Sequence, residues 1–269
     1  MKKAVLLFSL SICIMFLYAQ NEDAYSPPDK STNKIYWGIE TGIKTFNSQI
    51  PDYNFIREEA VYYFGYYDNY SEISLLTYLP FVSLKGEYRT LSDKLWLSAG
   101  INYSAMTSLM GKAGYSHDES DYLYLVLSQS ENDTYYYRIE EIGENDHYIG
   151  IPIDFRYSPF IPRFFRLYFK LGFDLNFKVA SKQSIVFYEA AMQEHEEAVL
   201  ALFDQPNNFY STGTLGIGFQ LGKQNRPNFR IEADFPTFVL TPKAFGLMDH
   251  DFGGGGRISF VLPLKNSEK

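Results

Sequence analysis

The chain has 269 residues, with 32 acidic against 24 basic and a single cysteine. The acidic balance argues against a nucleic-acid partner, which needs a basic surface, and one thiol excludes both a disulfide framework and a cysteine-ligated metal centre. Mean hydropathy is −0.22, a value that decides nothing here, because a membrane barrel conceals one polar face as a soluble protein conceals its apolar one.

Lys2 and Lys3 precede the apolar stretch Ala4 to Leu17, which runs into Tyr18-Ala19-Gln20. That order of charged, apolar and cleavable regions is a secretory signal, so residues 1–19 are expected to be removed. The stretch is too short for the roughly 20 residues of a spanning helix. Cys13 lies inside it, after an Ile12 too bulky for a lipoprotein cleavage box, so the mature chain should carry no thiol. Residues 20–33, with Pro27 and Pro28, read as a polar periplasmic leader.

From residue 34 onward, alternation of apolar and polar side chains predicts eight strands, at 34–46, 77–91, 94–107, 147–158, 164–180, 209–222, 228–240 and 252–264. The clearest runs from Phe165 to Val179. Phe165, Leu167, Phe169, Leu171, Phe173, Leu175, Phe177 and Val179 are apolar, with Arg166, Tyr168, Lys170, Gly172, Asp174, Asn176 and Lys178 between them. Strands of soluble domains typically run about 5 to 6 residues, and a tilted membrane strand needs about 9 to 11. The alternation outlasts both, which predicts an all-β fold: an eight-stranded antiparallel transmembrane β-barrel over 34–264, with 265–269 as a tail.

Connections alternate in length. Ser92-Asp93, 159–163 and 223–227 are short; 47–76, 108–146, 181–208 and 241–251 are long. An even strand number puts both termini and the short turns on one side, the periplasmic one, so the long loops face outward. Those loops carry a formal charge of −16 together. The first holds Tyr62, Tyr63, Tyr66, Tyr67 and Tyr70, whose area and polar tips suit recognition of a protein or glycan. In the second, Tyr122 to Leu127 and Thr134 to Ile139 flank the polar run 128–133 and predict a hairpin above the bilayer. In the third, Tyr188 to Phe203 reads as a short helix.

Alternation alone does not say which face is the lumen, since a soluble barrel of lipocalin type would turn the apolar set inward. Glycine separates the two, because it relieves crowding inside a small barrel. Gly38, Gly42, Gly100, Gly150, Gly172, Gly216, Gly218 and Gly222 share the polar face, against Gly86 and Gly213 on the other. The inward charges are then Glu40, Lys44, Lys85, Glu87, Arg89, Asp154, Arg156, Arg166, Lys170, Asp174, Lys178, Arg230, Glu232, Asp234 and Arg257. Buried charges demand partners, so a paired network that plugs the lumen is expected. Trp37, Tyr88, Tyr103, Tyr157 and Phe165, near strand ends, are placed in interfacial girdles.

The signal ending in Tyr18-Ala19-Gln20, the segment His147-Tyr148-Ile149-Gly150-Ile151-Pro152-Ile153-Asp154-Phe155-Arg156-Tyr157, the long strand after it and the glycine-led last strand, Gly253 to Leu264, resemble the small outer-membrane β-barrel family of Bacteroidetes, the PorT-like group. The resemblance covers most of the mature chain and implies residence in the outer membrane, with lipid as the surrounding partner. The group is functionally diverse, and no site residue carries over. Lys265 to Lys269 depart from its pattern, because barrel assembly signals often end on an aromatic residue.

Chemistry-bearing motifs are sparse. His117, His147, His195 and His250 fall in the long loops or at their junctions, and Asp146-His147 and Asp249-His250-Asp251 pair acid with imidazole. Rim His and Asp of this kind define an alternative reading as an outer-membrane enzyme that hydrolyses lipid or peptide. Ser116-His117-Asp118 holds triad residue types, but adjacent residues do not supply triad roles. The acidic runs 117–121 and 140–146 lack the spacing of an EF-hand and read as solvated charge. Gly253 to Gly256 has no following helix to hold phosphate and reads as a flexible strand entry. No catalytic, metal-binding or cofactor-binding residue is assigned, and no cofactor is expected. The leading expectation is a noncatalytic barrel with a filled lumen and acidic, Tyr-rich loops for interaction or envelope support. A narrow channel is the other alternative.

Overall fold

The computed structural model describes residues 35–49, 51, 56–58, 62–63, 66–67, 74–90, 94–111, 123–129, 134–159, 165–222, 226–241 and 244–264. Eight long strands form the body: β1 (Ile35–Gln49), β2 (Ser74–Arg89), β3 (Leu95–Gly111), β4 (Thr134–Tyr157), β5 (Phe165–Phe187), β6 (Phe209–Leu221), β7 (Asn228–Val239) and β8 (Asp249–Pro263). Each pairs antiparallel with its neighbours in sequence, and β8 pairs with β1, so the eight strands close into a ring. The fold is an all-β, eight-stranded antiparallel barrel.

Alternation sets the two faces. Ile39, Ile43, Val82, Leu84, Leu97, Ile101, Ile149, Ile151, Phe155, Phe169, Leu171, Leu215, Ile217, Ile231, Ile258 and Phe260 are exposed on the outside. Trp37, Tyr88, Tyr103 and Tyr157 are also exposed there. The residues between them point into the lumen and are buried, ions included. Among the described residues, thirty-eight large apolar side chains are exposed, far beyond the scattered single residues of a soluble monomer.

The strands are longer than expected at the end bearing the long loops. β2 starts at 74 rather than 77, β3 runs to 111 rather than 107, β5 to 187 rather than 180, and β4 starts at 134 rather than 147. The segment 140–146, expected as solvated loop, is strand, and 141–146 is paired on both sides, with β3 and with β5. Its alternation is hidden in the sequence because outward Glu141, Gly143, Asn145 and His147 lie above the apolar belt, where water on the outer face removes the demand for apolar side chains.

Leu123–Gln129 pairs with β4 at 134–139, forming the expected hairpin, and Ile56–Glu58 adds to its far side. Ala190–His195 forms a 3₁₀ turn, followed by α1 (Glu196–Leu200). Val199 and Phe203 from this segment, and Leu247 and Met248 from the connection into β8, join Met110, Ile139, Ile142, Ile185 and Phe187 in an apolar cluster that caps the mouth. A second cluster lies below it: Phe46, Leu79, Met106, Tyr148, Tyr210, Ala244 and Phe245.

Candidate functional site

The lumen is filled by ion pairs from six of the eight strands, with β3 and β6 adding neutral hydrogen-bond donors. Glu40 on β1 accepts from Lys85 Nζ at 2.7 Å and from Arg257 at 2.8 Å. Lys85 also reaches Asp154 at 2.6 Å, and Asp154 accepts from Ser98 of β3 and from Arg156. Arg156 Nε donates to Glu232 at 2.8 Å, and Glu232 takes Lys170 at 3.1 Å and the Tyr168 hydroxyl at 2.8 Å. Asp234 pairs with both Lys170 and Arg257, and Lys44 pairs with Asp174, which also accepts from Thr212 of β6.

At the turn end, Glu87 accepts two bonds from Arg230, the longer at 2.8 Å, and one from Arg89 at 2.9 Å. Trp96, fully buried, has the guanidiniums of Arg89, Arg166 and Arg230 near its ring at 4.8, 5.1 and 4.9 Å. Cation–π contact of this kind contributes about 0.5–2 kcal/mol each. It gives these cations a neutral partner where carboxylates are few.

Of the charges assigned to the lumen from sequence, Glu40, Lys44, Lys85, Glu87, Arg89, Asp154, Arg156, Arg166, Lys170, Asp174, Arg230, Glu232, Asp234 and Arg257 are buried inside. Lys178 is only half-buried and lies outside the network; its Nζ donates to the carbonyl of Pro206 in the cap. Sequence reasoning missed Glu144 and Asp146, both fully buried on the inner face of β4. It also missed the aromatic layer of Phe46, Tyr148, Tyr210 and Phe245, with Tyr148 and Tyr210 edge to face at 4.7 Å. Parity along β4 and β6 was the available signal for all four of the strand residues Glu144, Asp146, Tyr148 and Tyr210.

The rim histidines are not brought together. His147 points outward and meets Tyr103, Nδ1 to hydroxyl 2.7 Å. His250 points inward, its Nε2 2.8 Å from Thr77 Oγ1, on the opposite wall of the barrel from β4. His195 lies against the Tyr137 ring, and His117 lies outside the described residues. Sequence parity would turn His250 outward, but the β1–β8 register shifts between Phe46 and Ser48 and reverses it. Burial lowers the pKa of His250 to about 4 and keeps it neutral at physiological pH.

Tyr62–Tyr63 and Tyr66–Tyr67 pair as a two-stranded ribbon, whereas Tyr70 lies outside the described residues. Among the described residues, no three His, Cys, Asp or Glu side chains converge to hold a metal ion. Cavities within the lumen have about 10 Å³ beside Asn102, Asn176 and Tyr210, and about 20 Å³ beside Glu87 and Arg230. Each has room for roughly one water. A larger hollow of about 280 Å³ lies at the rim between the ends of β7 and β8, lined by Val239, Thr241, Phe245, Met248, Asp249 and His250.

No protein-family model matches the chain, and no curated protein does. Similar solved structures include a Pseudomonas aeruginosa FadL homologue, 8% identical over 87% of this chain and 91% of that one, with a TM-score of 0.22. The transport unit of the autotransporter AIDA-I from Escherichia coli is 7% identical over 92% and 97%, TM-score 0.26. A bacterial polysaccharide outer membrane secretin is 8% identical over 87% and 99%, TM-score 0.18. Likeness this low carries no function from those proteins to this one.

Proposed function

We propose that this chain is an integral outer-membrane barrel of the PorT-like kind, exported by its N-terminal signal, noncatalytic, and closed to solutes. It serves to hold acidic, Tyr-rich loops at the cell surface for contact with a protein or glycan partner, or to support the envelope. The observation that carries this reading is the inversion of the barrel: large apolar side chains outside, paired ions inside. A closed ring satisfies every ladder hydrogen bond internally, which is what lipid demands of backbone, and lipid is the partner that the outer face fits.

A plugged barrel follows from the lumen. Eight strands leave an interior just wide enough for side chains, and here ion pairs cross it at three levels: Lys44 with Asp174, Glu40 with Arg156, and Glu87 with Arg230. An ion following the axis would have to break several of these pairs while finding no water-filled path of its own diameter. Planar-bilayer recording of the purified, folded protein tests this, with no steady conductance expected. Persistent, ion-selective conductance would overturn the plugged reading in favour of a channel. The recognition role has a separate test. Replacing 112–133 by a short Gly-Ser linker should leave folded, heat-modifiable migration intact while removing any surface partner captured by crosslinking. A partner retained at wild-type yield would remove that loop from the role.

A further inference from the structure

Glu144 and Asp146 occupy successive inward positions on β4, between Ile142 of the upper apolar cluster and Tyr148 of the lower one. Both are fully buried, and among the described residues neither forms an ion pair. The pair is tied instead to the cap. Glu144 Oε1 accepts from the Gly246 amide at 3.2 Å, and Oε2 accepts from Gln183 Nε2 at 2.8 Å. Gln183 in turn accepts from Gln205 at 3.0 Å and donates to the carbonyl of Asp204 at 3.3 Å. Asp146 accepts from the Tyr148 hydroxyl at 2.9 Å through Oδ2, and its Oδ1 has no partner. Both connections over the mouth are thus tied to one carboxyl group, 244–248 directly through Gly246 and 204–207 through Gln183. The fit is close: a Cβ at Gly246 would lie 2.4 Å from the Asp204 carbonyl and 2.7 Å from Glu144 Oε2.

Two carboxylates this near, between apolar layers and without a cation, do not both ionise without cost. The titratable groups around them are Tyr148 on β4, Lys178 on β5, Asp204 in the cap, Tyr210 on β6 and His250 on β8. Lys178 is engaged with Pro206 and His250 with Thr77, so neither neutralises the pair.

We propose that Glu144 and Asp146 form a proton-operated latch on segment 244–248. With a proton on Glu144 the pair holds Gly246 against the mouth; once that proton is lost, the buried charge beside Asp146 releases the segment and uncovers the aromatic layer of Phe46, Tyr148 and Tyr210. The pair lies above the apolar belt, Glu144 being five residues beyond the outward Ile149, about 16 Å along the strand. Burial, and next the charge of Asp146, raises the Glu144 pKa to about 7, which puts the transition near neutral pH.

Hydrogen exchange of segment 244–248, read by mass spectrometry on the full chain folded in detergent micelles, tests the latch. Corrected for intrinsic exchange, wild-type protection should fall at least about tenfold between about pH 6 and about pH 8.5. Glu144→Gln, whose amide can donate to Asp146 as the protonated acid does, should keep full protection across that range. Asp146→Asn, which removes the opposing charge but leaves Glu144 buried, should move the fall to a different pH without abolishing it. Flat wild-type protection would overturn the proposal, and so would a wild-type fall retained in Glu144→Gln or left at the same pH in Asp146→Asn. If one variant does not fold, the wild-type profile and the other variant still decide it.

Discussion

Gly218 stands directly opposite Tyr168 in the β5–β6 ladder, and a Cβ on Gly218 would lie 2.5 Å from Tyr168 Cζ. The ring lies across the glycine and carries its hydroxyl to Glu232, while its centroid lies 5.1 Å from that of the tilted Trp96 ring. The missing side chain at 218 is therefore what admits an aromatic strut into a lumen crowded with long ionic side chains. Gly218→Val should displace the ring and destabilise the folded barrel by about 1–3 kcal/mol. Tyr168→Phe, which keeps the ring and loses the bond to a carboxylate, should cost about 1.5–3 kcal/mol. Urea unfolding in lipid vesicles, followed by gel mobility, measures both. Gly218→Val combined with Tyr168→Leu should recover part of the first loss, and strict additivity would contradict the contact.

Arg257 meets Glu40 at 2.8 Å, Glu232 at 3.6 Å and Asp154 at 4.0 Å, and pairs with Asp234. Such a residue adds less by its own attraction than its removal subtracts, because its partners stay buried with their charge. Arg257→Met should lower stability by about 3–5 kcal/mol. Adding Glu40→Gln, which removes one of the stranded charges, should restore a measurable part. A double variant less stable than Arg257→Met alone would show that the network acts through hydrogen bonds rather than charge balance.

His250 and Glu144 titrate in opposite senses. The pKa of His250 is lowered from 6.5 to about 4, so its contribution is present above 6.5 and is lost as the pH falls through about 4. That of Glu144 is raised from 4.5 to about 7, so its contribution is present below 4.5 and is lost as the pH rises through about 7. Between those limits the two slopes oppose each other and the wild type should show a shallow profile. Measured against the Glu144→Gln/His250→Gln double variant, Glu144→Gln alone should lose stability on acidification below about 6.5, and His250→Gln alone should lose it on raising the pH through about 7. Profiles of the same slope in the two single variants would contradict these assignments.

The barrel was legible wherever one face meets apolar surroundings and the other does not. Ile149, Ile151, Ile153 and Phe155 announce β4 against Gly150, Pro152, Asp154 and Arg156, and the same contrast exposes the whole of β5 up to Val179. Above that level both faces meet water or protein, and Thr134 to Asp146 continues as strand with no contrast to reveal it. Glu144 and Asp146 were hidden for this reason: acids in a polar run read as solvated loop, and the parity that places them inward applies only once the ladder to Ser108 and Gln183 extends the strand that far. His250 was hidden differently, by a register shift that alternation does not encode. Ion-pair identities, such as Glu40 with Arg257, depend on how eight strands stagger around the ring, and no single strand holds that information.

The two tryptophans of the chain, Trp37 and Trp96, provide the most direct measurement of which face is which. Trp37 is 37% exposed on the outer belt at the turn end, and Trp96 is 0% exposed, enclosed by three arginines. Reconstituted in vesicles of lipid brominated on the acyl chain, Trp96→Phe should leave a fluorescence strongly quenched by the lipid, and Trp37→Phe should leave one that the lipid does not quench. Quenching of Trp96, or a Trp37 untouched by brominated lipid, would contradict a barrel with its apolar face in the membrane and its ions within.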